Sequence, residues 1–161
     1  MMCDSRLFQP QINEFSKQYM VCATPASTAD TIENISFEIL RYLPTKFVLI
    51  GLSMGGILAM EIIKKVPERV MKIVLMDTNY KSETSEIKSN RVPQIKLVNE
   101  GLLEDVMCQQ IKNNYLRTDR KNQEIFDLCL SMANDLGKET FINQSKALST
   151  RKDYKSTLEN I

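Results

Sequence analysis

The eleven residues from Lys46 to Gly56 constrain the fold of the chain more than any others. Lys46-Phe47-Val48-Leu49-Ile50 is a continuous β-prone run of the kind found where both faces of a parallel strand are covered, and it ends at Gly51. Ile57 to Val66 then reads as a helix, apolar nearly all round at its start and charged only at Glu61, Lys64 and Lys65, so its first turns are expected to be deeply buried. Between the two lies Gly51-Leu52-Ser53-Met54-Gly55-Gly56. A strand that turns sharply into a helix lifts the Ser53 hydroxyl out of the sheet, but it strains the backbone and brings neighbouring chain close by. The positions two before and two after must then be small, which Gly51 and Gly55 satisfy, while Gly56 permits a close helix–strand contact.

The chemistry follows from the placement. Ser53 stands at a helix N-terminus, where free N–H groups favour developing negative charge, and the Met54 N–H would be one donor of an oxyanion hole. A purely structural turn is the plainer reading of the same residues. A dinucleotide site is the other rival, because Gly51-x-Ser53-x-x-Gly56 with Asp77 closing the next strand imitates a phosphate-binding turn and its ribose-binding acid. Ser53 replaces the middle glycine of that motif, however, and its side chain would obstruct the pyrophosphate.

Around this centre the pattern alternates. Leu7 to Lys17 is an amphipathic helix with Pro10 in its first turn, and Tyr19 to Thr24 is a short apolar run closed by Pro25 that suits a buried strand. Asp30 and Glu33 mark the start of a helix carrying Ile35, Phe37, Ile39 and Leu40, which must stop before Pro44. Pro67 breaks the helix after Ser53, and Val70 to Met76 reads as a further parallel strand, so strand, helix, strand, helix, strand predicts an α/β sheet. Asp77 lies at the end of that strand in Asp77-Thr78-Asn79, where a turn-forming role is the simpler one. Beyond Asn79 the chain turns polar, with apolar groups around Ile95 to Val98, Leu102 to Ile111, Ile125 to Met132 and Phe141 to Leu148 spaced for helices. Lys152 to Ile161 reads as a frayed polar tail, and Lys64-Lys65 and Arg151-Lys152 as solvated faces or ends.

Composition narrows the partners. Lys and Arg total 21 against 20 Asp and Glu, which gives no global field for nucleic acid or an anionic membrane. No apolar run approaches the ~20 residues of a bilayer span and Met1-Met2-Cys3-Asp4 lacks the apolar core of a signal peptide, so a cytoplasmic protein is expected. Cys3, Cys22, Cys108 and Cys129 are scattered and expected to be reduced, and the nine Met residues are expected to fill core. No metal or cofactor is called for. The sequence contains no His, so imidazole chemistry cannot be completed from these residues.

From Cys3 to Tyr80 the chain resembles the α/β-hydrolase superfamily, in the branch whose elbows read G-x-S-M-G-G. Cys3-Asp4-Ser5-Arg6-Leu7-Phe8 resembles the stretch after the family's third strand, and Pro67-Glu68-Arg69-Val70 resembles its linker after the nucleophile helix. The resemblance implies a partial α/β-hydrolase fold with about three parallel strands. Residues 1–80 would be core, 81–150 a helical cap, and 151–161 a tail leading to absent core strands. It implies Ser53 as nucleophile, Met54 as backbone donor and Asp77 as a minority position for the acid. The substrate would be a small-molecule ester, thioester or amide, and the central fragment would be inactive without the family's His. A non-catalytic module binding a small molecule or protein is the alternative on the same fold. The family also places its third strand between the counterparts of Tyr19–Thr24 and Lys46–Ile50, so a gap is expected there rather than a ladder.

Overall fold

The computed structural model of the chain describes residues 1–26, 29–111 and 123–161. After a 3-10 turn at Ser5–Phe8 come α1 (Gln9–Phe15) and α2 (Ile32–Leu40), then β1 (Phe47–Leu52), α3 (Met54–Lys65) and β2 (Val70–Met76). Four further helices follow: α4 (Ser85–Asn99), α5 (Leu103–Gln110), α6 (Gln123–Thr150) and α7 (Lys155–Leu158). β1 and β2 pair in parallel, with Leu49 opposite Ile73 and Leu52 opposite Met76.

The β-α-β unit forms where the sequence placed it. β2 has the expected bounds, and α3 starts three residues early because the Gly56 and Ile57 N–H groups already donate to Ser53 O. The start of α2 is capped by Thr31, whose hydroxyl accepts the Asn34 N–H at 3.2 Å, and not by the acidic pair of Asp30 and Glu33. The linker at Pro67–Arg69 is a 3-10 turn that ties back to β1. Arg69 donates to the carbonyls of Leu43 and Pro44 at 2.7 Å and lies over the Phe47 ring.

The third strand is absent. Tyr19–Thr24 forms no strand, and Tyr19 and Met20 are 67% and 95% exposed, so the sheet among the described residues has two strands instead of three. A short apolar run becomes a strand only where a neighbour offers backbone groups and a face to pack on. Here no ladder joins Tyr19–Thr24 to β1, as expected, but β1 ends in an open edge and not in a gap between two strands. α1 shows the same want of a partner, since none of its residues is buried.

Two apolar clusters make the interior. One gathers Ile32, Ile35, Ile39, Met54, Ile57 and Leu58 from α2 and α3 with Leu148 and Tyr154. The other gathers Met2, Val98, Val106, Met107, Ala133 and Phe141. α6 serves both, and it breaks at Gly137, whose φ of 76° and ψ of 175° is a conformation left almost entirely to glycine. The two halves correspond to the two helical groups expected from the sequence. Past the break, Phe141 enters one cluster and Leu148 the other.

The C-terminal segment is anchored rather than frayed. Tyr154 is 1% exposed and its N–H donates to Tyr80 O at 2.9 Å, so one aromatic in a polar stretch supplies enough burial to dock it. Nor is Arg151 a solvated end: its Nε donates to Lys81 O at 2.9 Å, and its guanidinium lies 3.6 Å from Glu83. Glu83 is buried and also takes a two-pronged contact from Arg91, with Nε at 2.8 Å. One carboxylate thus joins the segment after β2, α4 and the end of α6.

Removing the carboxylate would leave two largely buried arginines without their partner. Glu83→Ala is expected to lower the unfolding free energy by about 3–5 kcal/mol in urea titrations. Lys17→Ala, which breaks the exposed pair with Glu14, should change it by less than about 0.5 kcal/mol. A second measurement concerns pH. Arg6 hydrogen-bonds the Asp4 carboxylate and holds its pKa below the ordinary 3.8, so the folded state binds that proton less readily than the unfolded chain. The contribution is therefore complete above 3.8 and lost as pH falls through the lower folded value. Asp4→Asn should cost about 0.5–1 kcal/mol near neutral pH, and the difference from the parent chain should vanish in strong acid.

Candidate active site

Ser53 occupies the junction of β1 and α3 with φ 51° and ψ −114°, a region that non-glycine residues rarely enter. Four hydrogen bonds hold it there. The Ser53 N–H donates to Met76 O at 2.9 Å, which carries the ladder one residue past β1. Its carbonyl accepts from Gly56, from Ile57 and, at 2.7 Å, from the Thr78 hydroxyl. The Ser53 side chain makes no capping bond to α3, and the residue is exposed, so the hydroxyl is presented outward at the carboxyl end of the sheet.

The glycines divide their work differently from the sequence expectation. A Cβ on Gly51 would stand 2.3 Å from Gly55 O, and one on Gly56 would stand 2.6 Å from the Thr78 side chain, so both positions exclude any larger residue. Gly55 is the correction: a Cβ there meets nothing within 4 Å. What the turn needs at Gly55 is its backbone, against which Gly51 packs. Thr78 is the residue the sequence reading missed, having been seen only as part of a turn; it both bonds Ser53 O and fills the space beside Gly56.

Met54 is buried at the first position of α3. Its N–H and that of Gly55 precede the first intrahelical bonds, which Gly56 and Ile57 make, so they belong to the free donors of the helix terminus. A twelve-residue helix adds its dipole to the same spot. Asp77 follows Met76 as Ser53 follows Leu52, and Leu52 and Met76 are register partners. Asp77 therefore lies at the neighbouring strand end, exposed and with φ 44°, a left-handed conformation that Asp tolerates in turns.

On the other side of the molecule's opening segment, Met2 also has positive φ, is fully buried, and donates its N–H to Gln144 Oε1 at 2.8 Å. Gln144 in turn donates to Ala26 O at 2.8 Å. The described residues contain no group of three or more His, Cys, Asp or Glu that could hold a metal ion, and no helix long and apolar enough to cross a membrane.

Comparison with known proteins fits this geometry. No curated protein sequence matches the chain. Among solved structures, a thermophilic esterase from Thermogutta terrifontis superposes with a TM-score of 0.78 at 20% identity, over 96% of this chain and 62% of that one. A structure from work on carboxylesterases of the thaumarchaeon Nitrososphaera gargenis gives 0.79 at 15% identity, over 99% and 65%. The enol-lactonase from Burkholderia xenovorans LB400 gives 0.75 at 15% identity, over 94% and 62%. The chain thus spans less than two thirds of these relatives, and at such identities the likeness is one of fold. A family model described as the alpha/beta hydrolase fold matches residues 12–110, more than half of the sequence, and by that match the chain belongs to the α/β-hydrolase fold family.

Proposed function

We propose that Ser53 is the nucleophile of a hydrolase acting on an ester, thioester or amide of a small molecule. The observation that carries this is the strained backbone at Ser53, exposed between a parallel strand and a helix N-terminus and held by Met76, Thr78 and the Gly51–Gly55 contact. Strain of ~1–3 kcal/mol is commonly kept where a side chain must be aimed. In the reaction the Ser53 oxygen attacks the acyl carbon, the Met54 N–H stabilises the oxyanion, and water then releases the acyl group. The proton of Ser53 needs a base, and no His stands among these residues. Asp77, one strand end away, is the weaker assignment for the acid and serves the turn in any case. Residues 81–150 are proposed to cap the site, and the separate apolar cluster around Val98 and Met107, among the described residues of that stretch, supports this.

The absence of imidazole sets the expectation for this chain. Hydrolysis of a p-nitrophenyl ester by residues 1–161 should be no faster than by the Ser53→Ala variant, because losing the base removes orders of magnitude of rate. A reactive fluorophosphonate should still label Ser53 slowly and stoichiometrically, with the adduct located by mass spectrometry and lost in Ser53→Ala. Absence of that adduct would overturn the nucleophile assignment, and Ser53-dependent turnover would overturn the need for an outside base. The elbow mechanics can be tested separately by thermal and urea unfolding. Gly51→Ala should cost about 3 kcal/mol through its clash with Gly55 O, whereas Gly55→Ala should remain within about 1 kcal/mol of the parent chain.

A further inference from the structure

The chain at the end of β2 holds Ser53 by both of its backbone polar groups, and only one of them meets backbone. In a parallel ladder, a residue whose N–H donates to one carbonyl of the neighbouring strand accepts, at its own carbonyl, from the N–H two residues further along that strand. The Ser53 N–H donates to Met76 O at 2.9 Å, so the donor due at its carbonyl is the N–H of Thr78. The Thr78 hydroxyl makes that contact instead, at 2.7 Å, after the chain has turned at Asp77 with φ 44°. Packing fixes the hydroxyl in place. A Cβ on Gly56 would stand 2.6, 2.6 and 2.7 Å from the Thr78 Cβ, Cγ2 and Oγ1, so the side chain fills the space that glycine leaves, and a β-branched χ1 is stiff.

What the Ser53 carbonyl accepts bears on the next N–H. The peptide between Ser53 and Met54 is trans and planar, so the Met54 N–H points opposite to the Ser53 C=O. That oxygen takes three donors: the Gly56 N–H at 3.0 Å, the Ile57 N–H at 3.3 Å and the Thr78 hydroxyl at 2.7 Å. The two helical donors move with α3. Thr78 is the donor that ties the peptide plane to the end of β2, and its bond is the shortest of the three. A bond accepted by the carbonyl also polarises the whole peptide group and strengthens its N–H as a donor, by ~10–30% per bond. We propose that Thr78 is a positioning residue of the site: its hydroxyl, acting through the Ser53–Met54 peptide, aims and strengthens the Met54 N–H as the oxyanion donor. The inference rests on the reading of Ser53 as nucleophile. It differs from a space-filling role beside Gly56 in what it demands of the side chain. A filler acts by shape, so Thr78→Val would be tolerated and Thr78→Ser harmful; a donor acts by its hydroxyl, so the order reverses.

The test follows labelling of the full chain by a fluorophosphonate. There the Ser53 oxygen displaces fluoride from phosphorus, its proton passes to buffer, and the phosphoryl oxygen gains charge on the way. Thr78→Val is expected to slow adduct formation about tenfold, less than the ~10²–10³ that follows outright loss of an oxyanion donor. Thr78→Ser is expected to restore the parent rate. Thr78→Ala, compared with Thr78→Ser, repeats the experiment in a pair that lacks the methyl and differs only in the hydroxyl, and thermal unfolding confirms that each variant is folded at the labelling temperature. A spectroscopic signature accompanies the rates. In the ¹⁵N-labelled chain the Met54 amide resonance should move upfield in Thr78→Val and return in Thr78→Ser, with a smaller change at Gly55, the other free donor of the helix terminus. Equal labelling rates in the parent chain and Thr78→Val, or an unmoved Met54 resonance, would overturn the inference and leave the nucleophile reading standing. No Ser53 adduct in the parent chain would remove that reading, and the role given to Thr78 with it.

Discussion

The backbone of Ser53 is the constraint on which the other features of the core depend. At φ 51° the residue cannot hold itself; its amide must be taken up by β2 and its carbonyl by α3 and Thr78. That requires β2 to run in register as far as Met76 and the chain to turn back at Thr78, close enough for the hydroxyl to reach. It also requires α3 to begin at once, which brings Gly55 O to where any Cβ at position 51 would lie. α3 stays in place because Ile57, Leu58, Met60 and Ile62 are almost wholly buried, and at ~1.5–3 kcal/mol per side chain that burial exceeds the strain several-fold.

Local chemistry explains why this region was legible in the sequence. A strand ending at Gly51, a serine, small residues and an apolar helix state a turn whose geometry is self-contained, and Val70–Met76 is set apart by Pro67 on one side and a polar turn on the other. Each of those signals acts within a few residues. The errors lie where a decision depends on a distant partner. Nothing in Tyr19–Thr24 itself tells whether another strand lies alongside, and nothing in Lys152–Ile161 tells that a pocket awaits Tyr154. The cap of α2 was missed for a smaller reason: Thr31 and Asp30 are both competent caps, and the choice between adjacent candidates rests on which hydroxyl or carboxylate meets the Asn34 N–H.

The site itself was legible as residue types and not as a division of labour. Gly51, Gly55 and Gly56 look equivalent in the sequence, yet two of them exclude side chains and the third lends its carbonyl. Thr78 carried no signal at all, because a hydroxyl in a turn is ordinary until a carbonyl is seen beside it. Asp77 keeps both of its sequence readings: it makes the turn, with the positive φ that a turn uses, and it also lies at the strand end beside Ser53.

The sheet shows how the same run of residues can satisfy one environment and record another. β1 and β2 are apolar almost throughout, the pattern of parallel strands covered on both faces. Among the described residues only the face toward α2 and α3 is covered, by packing of Leu49, Val70 and Leu75, while Val48, Ile50 and Val74 are 50%, 47% and 42% exposed. Lys72, opposite Val48, is the charged side chain set among them, and a lysine in that position discourages stacking or pairing with another sheet. Register adds a second deterrent. The irregularity between Phe47 and Val48 passes over Met71, so the start of β2 departs from a regular ladder where a further strand would begin to pair. A flat, uniformly apolar edge would template association freely, whereas this one carries a charge and a kink within its first three residues. The strands thus retain the composition of a sheet interior, and the features that temper its exposure are concentrated at the end farthest from Ser53, where they leave the elbow undisturbed.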